Sequence, residues 1–223
     1  MVTMNPEDFH LNTLTAHQIS YLSQLPTGHQ LLVFDTETTG VGDDAKILSL
    51  AITDGNGDTL FYKKINPGSE WLERGWADAE KINHISVQDV KNEHPLTYYA
   101  PYLDQLASTH TAITGYNIDR FDLRLLHQSG YDGFASLPSF DLMPVIIQLY
   151  SPYRDDPSVP QYHKAPHLTD LAAYYGITYN AHDALEDTKT TATCYQMTVE
   201  KMQKLAREQH IPTSTPIHQK MKR

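Results

Sequence analysis

Cysteine is nearly absent from this sequence: among 223 residues only Cys194 carries a thiol. A lone thiol forms no internal disulfide and suits a reducing compartment, so a cytoplasmic protein is expected. Structural zinc held by cysteines is excluded as well. Long apolar runs are also missing. None approaches the ~18 residues that a membrane span needs, and no membrane partner is expected. The N-terminus, MVTMNPEDFHLNT, lacks the basic and apolar stretches of a secretory signal. Repeats and low-complexity segments are absent too. Positive charge is scarce except at one end. Of 17 Lys/Arg and 27 Asp/Glu, six and one fall in residues 201–223, leaving 11 against 26 in residues 1–200. So acidic a body argues against tight, sequence-blind binding of phosphate backbones. It does not argue against an enzyme whose acidic cleft is neutralised by metal ions. The basic end is either a polyanion contact or a solvated terminus.

What is present suffices for one domain: the chain weighs 25.3 kDa and 40% of its residues are hydrophobic, enough to build a core. LTAHQISYLSQL (14–25) has helical periodicity, broken by PTGHQ. LLVFDTE reads as a buried strand, KILSLAITD (46–54) as a second, and GNG (55–57) as a hairpin turn into a third, TLFYKKI (59–65). Helices are expected at about 70–81 and at 95–108. TAITGYN (111–117) reads as a fourth strand, FDLRLLHQSG (121–130) as a helix, and SFDLM (139–143) as a short fifth strand leading into an apolar helix. Residues 151–166 form a polar loop with four prolines, of a length that is often functional. HLTDLAAYYGI (167–177) and residues 183 to about 206 complete the helices. Three antiparallel strands followed by alternating helices and strands predict an α/β layered domain with a mixed five-stranded sheet.

Three segments carry the chemistry. In LLVFDTETTG, Asp35 and Glu37 are two apart on a strand and project from the same face, while Thr36 points away. Two like charges at the end of the most apolar run are costly to bury unless a cation sits between them. In GYNIDRFDLRLL (115–126), Asp119 is a plausible helix N-cap, whereas Asp122 lies between Phe121 and Leu123, a poor place for an ordinary surface charge. In NAHDALEDTKTTATC (180–194), Asp183 suits the dipole of a helix start. His182 and Asp187 are five apart and converge only if His182 lies in the loop before the helix.

The ordered set D-x-E, N-x-x-x-F-D and H-x-A-x-x-D resembles the DEDDh group of 3′–5′ exonucleases, the DnaQ-like branch of the ribonuclease H-like fold. FDTETTG is similar to its first motif, GYNIDRFD to its second and HDALED to its third, and KINHIS (81–86) resembles its I-H-x-I segment. The second and third motifs look most like the exonuclease I branch, and the first like the proofreading branch. The residue four before the last aspartate is Asp183 rather than tyrosine, which favours the histidine version. The resemblance implies an exonuclease domain over 30–206, after a helical extension (1–29) and before a basic tail (207–223). It implies two divalent cations, Mg²⁺ or Mn²⁺, on Asp35, Glu37, Asp122 and Asp187, with His182 as general base. It further implies contacts to the terminal nucleotide from the backbone at Thr38 and Thr39 and from His84, Asn117 and Phe121. His84 as a merely structural histidine is an equal alternative. The implied substrate is nucleic acid, single-stranded DNA before RNA. QISYL (18–22) loosely resembles a Q-x-x-L peptide that docks on sliding clamps, which would add a clamp or polymerase partner; a simple amphipathic helix is the alternative.

Two other classes are weighed against this reading. A phosphatase of the haloacid dehalogenase type also starts with an aspartate at a strand end. Its second acid is normally Asp, and it leaves Asn117, Asp122, His182 and Asp187 unexplained. A non-catalytic nucleic-acid-binding module on the same fold should have lost acidic positions, and all four are present.

Overall fold

A computed structural model describes residues 9–152 and 166–213. The sheet that carries the site has four strands in the order β4-β3-β2-β5: β2 (Leu31–Thr38), β3 (Ile47–Asp54), β4 (Thr59–Lys64) and β5 (Ala112–Thr114). The first three form the expected antiparallel meander, and β5 joins β2 in parallel. The β3–β4 hairpin turns at Gly55–Gly57, where Asp54 Oδ1 accepts from the amides of Asn56 and Asp58.

β2 explains its own composition. Leu31 and Val33 face a core shared with α7 (Leu142–Leu149), α8 (Leu168–Tyr174) and α9 (Ala184–Glu208). Leu32 and Phe34 face a second core shared with α5 (Ala100–Thr109) and α6 (Asp122–Gln128). A strand buried on both faces must be apolar throughout, and alternation returns only where the chain reaches polar ground at Asp35.

The fifth strand expected at 139–143 does not form; among the described residues the sheet has four strands. Ser139 makes a single parallel bridge to Ile113, and Phe140 and Leu142 donate amides to Ile113 and Gly115. Asp141 then caps α7, accepting from the Met143 amide at 3.0 Å, so the chain turns into helix before a ladder can grow. The helix expected at 70–81 is two, α2 (Ser69–Arg74) and α3 (Ala77–Asn83), parted by Gly75 at φ +70°. Short α4 (Val87–Val90) follows.

The N-terminal segment expected to be helical also carries a strand, β1 (Phe9–Leu11), which pairs with β6 (Tyr150–Pro152) in a separate two-stranded sheet. Its helix, α1 (Ala16–Leu22), lies against α9, and Leu22 and Leu25 share the core of Leu31 and Val33. Ile19 and Leu22 of QISYL are buried, so the apolar side chains that a clamp would need are inside the fold. Most of the loop at 151–166 and of the basic tail lies outside the described residues. No helix among the described residues is long and apolar enough to cross a membrane.

Candidate active site

β2 and the start of α9 build the site together. α9 lies across β2 and β3 on the face from which Asp35 and Glu37 project. Its N-cap is Asp183, whose Oδ1 accepts from the amides of Leu185 and Glu186 at 3.0 and 3.1 Å. One turn later Asp187 enters the same space. Asp35, Glu37 and Asp187 each bring a carboxylate oxygen to within 4.8 Å of the others. Asp187 is buried, and its Oδ2 accepts the backbone amide of His182 at 2.8 Å. His182 sits at φ +70°, outside the helix, which answers how it and Asp187 converge across five positions.

Asp122 is not part of this closest grouping, although its charge acts on both Asp35 and Glu37. It opens α6 rather than following an Asp119 cap: Asp119 is exposed and accepts from Ser139 Oγ. Asp122 is buried, and its Oδ1 accepts from the Thr36 amide at 3.1 Å and hydroxyl at 2.6 Å. Thr36, the residue pointing away from Asp35 and Glu37, thereby ties the second motif to the first.

The electrostatics are those of crowded, dehydrated acids. Burial comes first in raising Asp35 well above the usual carboxylate range, and Asp122, Asp187, Glu37 and Asp183 add to it. Glu37 is pushed up to about 8, by burial and then by Asp187, Asp183 and Asp122. Asp122 rises to about 7 through burial, against the opposing pull of the Thr36 bonds. Burial raises Asp187 too, while Tyr179 and His182 pull it back. The leading charges acting on Asp35 and Glu37 are other carboxylates, with no lysine or arginine among them. Such a set fits a hard divalent cation: oxygen donors only, converging, and mutually repelling until a positive charge enters.

The remaining expected residues are placed with mixed results. Thr38 and Thr39 are buried and largely committed to the fold. Thr38 Oγ1 donates to the Gly40 carbonyl, and Thr39 exchanges bonds with Lys46 through its amide and hydroxyl. His84 is exposed in the left-handed region at φ 58°, as the C-cap of α3. Its neighbour Asn83 is the buried one. Asn83 Nδ2 donates to the Thr38 carbonyl at 3.0 Å, and its amide lies close enough to Glu37 to pull that carboxyl down against burial. Asn117 is also left-handed, at φ 71°, and Phe121 packs half-buried under the Arg124 guanidinium.

Sequence reasoning missed Asn83, Tyr179 and Asp141. Tyr179, in the loop before α9, lies beside Asp187 and pulls its carboxyl down. Asp141 accepts from the amides of Asn117 and Asp119 at 2.8 and 3.2 Å, fixing the loop that delivers Asp122. Only Asp141 had a readable signal, an aspartate directly before an apolar helix. Gly115 begins the same loop: a Cβ there would lie 2.6 Å from the Phe34 carbonyl and 2.1 Å from Ile118 Cγ2, so no side chain fits.

Sheet order, covering helices and the acidic site at the end of the central strand define a ribonuclease H-like nuclease domain. The family model RNase_T, described as Exonuclease, matches residues 32–195, and the chain belongs to this DnaQ-like exonuclease family. It is similar to the uncharacterized exonuclease CP81 of Escherichia phage 186, with 28% identity over 177 residues covering 72% of this chain and 83% of the relative. Among solved structures it resembles E. coli exonuclease I in complex with a dA16 oligonucleotide (TM-score 0.61, 23% identity, 81% of this chain and 42% of that one). The zinc-bound E. coli exonuclease I–single-stranded DNA complex is equally similar (TM-score 0.59, 22% identity, 80% and 42%). At these identities the likeness is one of fold. The chain spans less than half the length of these solved chains.

Proposed function

We propose that the protein is a divalent-metal-dependent 3′–5′ exonuclease of the DEDDh type, acting on single-stranded DNA in the cytoplasm. The observation that carries this reading is the convergence of Asp35, Glu37 and Asp187, with the charge of Asp122 acting on the first two and His182 bonded through its backbone to Asp187. The exonuclease family match supports hydrolysis of nucleic acid, and the oligonucleotide complexes of E. coli exonuclease I support single-stranded DNA.

Asp35, Glu37, Asp122 and Asp187 would hold two Mg²⁺ or Mn²⁺ ions. When bound, such ions supply Lewis-acid stabilisation of the charge that develops on the phosphodiester oxygens. The protein's own part is orientation and proton transfer. His182, exposed at the mouth, accepts the proton of the attacking water, a role worth ~10²–10⁴-fold. The water oxygen bonds to phosphorus, the bond to the 3′ oxygen breaks, and that oxygen takes up a proton. A 5′-mononucleotide leaves. His84, Asn117 and Phe121 would contact the terminal nucleotide, while Thr38 and Thr39 shape the strand end beneath it.

The test is digestion of 5′-labelled single- and double-stranded DNA and RNA with Mg²⁺. A ladder shortening from the 3′ end, fastest on single-stranded DNA, is expected. A ladder on RNA alone would transfer the activity to RNA, and no ladder on any substrate would end the exonuclease reading. His182→Ala should lower turnover by ~10²–10⁴-fold and leave the Mg²⁺ midpoint in place.

A further inference from the structure

The third motif is held from a direction its own sequence does not reveal. Tyr62 lies on β4, at the edge of the sheet among the described strands. It pairs across the ladder with Ala51, and Ala51 pairs with Asp35. Residues directly opposite one another share a face, so Tyr62, Ala51 and Asp35 form one row on the side that α9 covers. The middle member is a buried alanine, which leaves the phenol free to lean along the row towards α9. The Tyr62 hydroxyl donates to Asp183 Oδ2 at 3.1 Å, joining residues 121 apart in the chain.

Asp183 is the hinge of the third motif. Its other oxygen caps α9 through Leu185 and Glu186, and it separates left-handed His182 from the helix that carries Asp187. It is also a fifth carboxylate beside the site, and its charge acts on both Asp35 and Glu37. With Oδ1 committed to the helix, its remaining freedom is rotation of Oδ2. The Tyr62 hydroxyl holds that oxygen towards β4.

We propose that Tyr62 is a positioning residue: by bonding Asp183 it sets the start of α9, and so the placement of His182 and Asp187. This rests on the exonuclease reading above. Tyr62 is not a catalytic residue in this account; it acts through Asp183.

The experiment compares wild type, Tyr62→Phe, Asp183→Asn and the double variant. Asparagine keeps a cap oxygen, so α9 still starts properly. Tyr62→Phe should lower kcat about 5–20-fold, with KM for a single-stranded oligonucleotide within twofold of wild type. The double variant should lose little more than the worse single one, because both act on one contact. A second readout needs no activity. Amide hydrogen exchange at Leu185 and Glu186 in Tyr62→Phe should speed up about tenfold, while exchange in β2 and β3 is unchanged. A normal kcat in Tyr62→Phe beside an active wild type overturns the inference and spares the exonuclease reading. Unchanged exchange at Leu185 and Glu186 overturns it whatever the activity. A wild type inactive on every nucleic acid, with exchange faster in the variant, removes the exonuclease reading while leaving the hold on α9 in place.

Discussion

At the residue scale the site is four carboxylates that the metal-free fold can keep only by protonating some of them. Glu37 is held near 8 and Asp122 near 7, and Asp35 and Asp187 are also raised. In the unfolded chain the same groups titrate near 4. Between those limits the folded protein binds more protons than the unfolded one, so its stability falls as pH rises from about 4 to about 8. Carboxylates lowered by their hydrogen bonds, Asp54 by the Asp58 amide and His29, and Asp89 by Lys64 and Ser86, change their contribution only below that window. Thermal melts in EDTA should therefore show Tm dropping from pH 5.5 to pH 8.5. Mg²⁺ at about 100 times its Kd should add roughly 5–10 °C at the upper pH, where the cage is fully charged. A Tm in EDTA that rises over this range would contradict the account. The spacing of Asp35 and Glu37 predicts their shared face, and the resemblance of the ordered motifs adds Asp122 and Asp187. The sequence did not show their supports. Asn83 and Tyr179 reach Glu37 and Asp187 from segments remote in sequence, and no local pattern reports such a contact. The resemblance of KINHIS to an I-H-x-I segment points to His84, yet the helix ends with His84 exposed at the surface and Asn83 turned in.

At the element scale, the candidate site gathers where regular elements start or stop: β2 ends on Glu37 and Thr38, α6 begins with Asp122, and α9 is capped by Asp183. Asp141 ties the loop between β5 and α6 to the start of α7, its two oxygens accepting from the amides of Asn117, Asp119 and Met143. Asp141→Ala removes a helix cap and leaves two loop amides unpaired, so it should cost about 2–4 kcal/mol. The urea midpoint should fall accordingly, and activity with it, since the loop delivers Asp122. Asp141→Asn keeps an acceptor and should recover much of both, whereas a wild-type midpoint in Asp141→Ala would show that the loop is held otherwise. The same residue explains why the fifth strand was misread. SFDLM has the composition of a strand, but a cap at Asp141 competes with the ladder and wins after a single bridge. The strands of the meander were legible because apolar runs and the GNG turn act locally. β1 and β6 were not, because each is three residues long and exists only as the partner of the other.

At the scale of the whole molecule, the acidic body and the nuclease fold are compatible only if positive charge arrives with the reaction. A chain carrying 26 acidic against 11 basic residues over positions 1–200 would repel a polyanion. Divalent ions held by these carboxylates would reverse that sign at the proposed site of hydrolysis. Family membership and the fold of exonuclease I agree with this arrangement, and the ordered motifs made both legible from sequence. The most direct measurement follows release of label from one single-stranded DNA oligonucleotide, labelled at its 3′ or its 5′ terminal nucleotide, as Mg²⁺ is titrated. The same titration is run on Asp187→Ala. The account predicts immediate, Mg²⁺-dependent release of the 3′ label as a mononucleotide, late release of the 5′ label, and neither from a folded Asp187→Ala protein. Early loss of the 5′ label, release that persists in EDTA, or near-normal turnover by Asp187→Ala would contradict it.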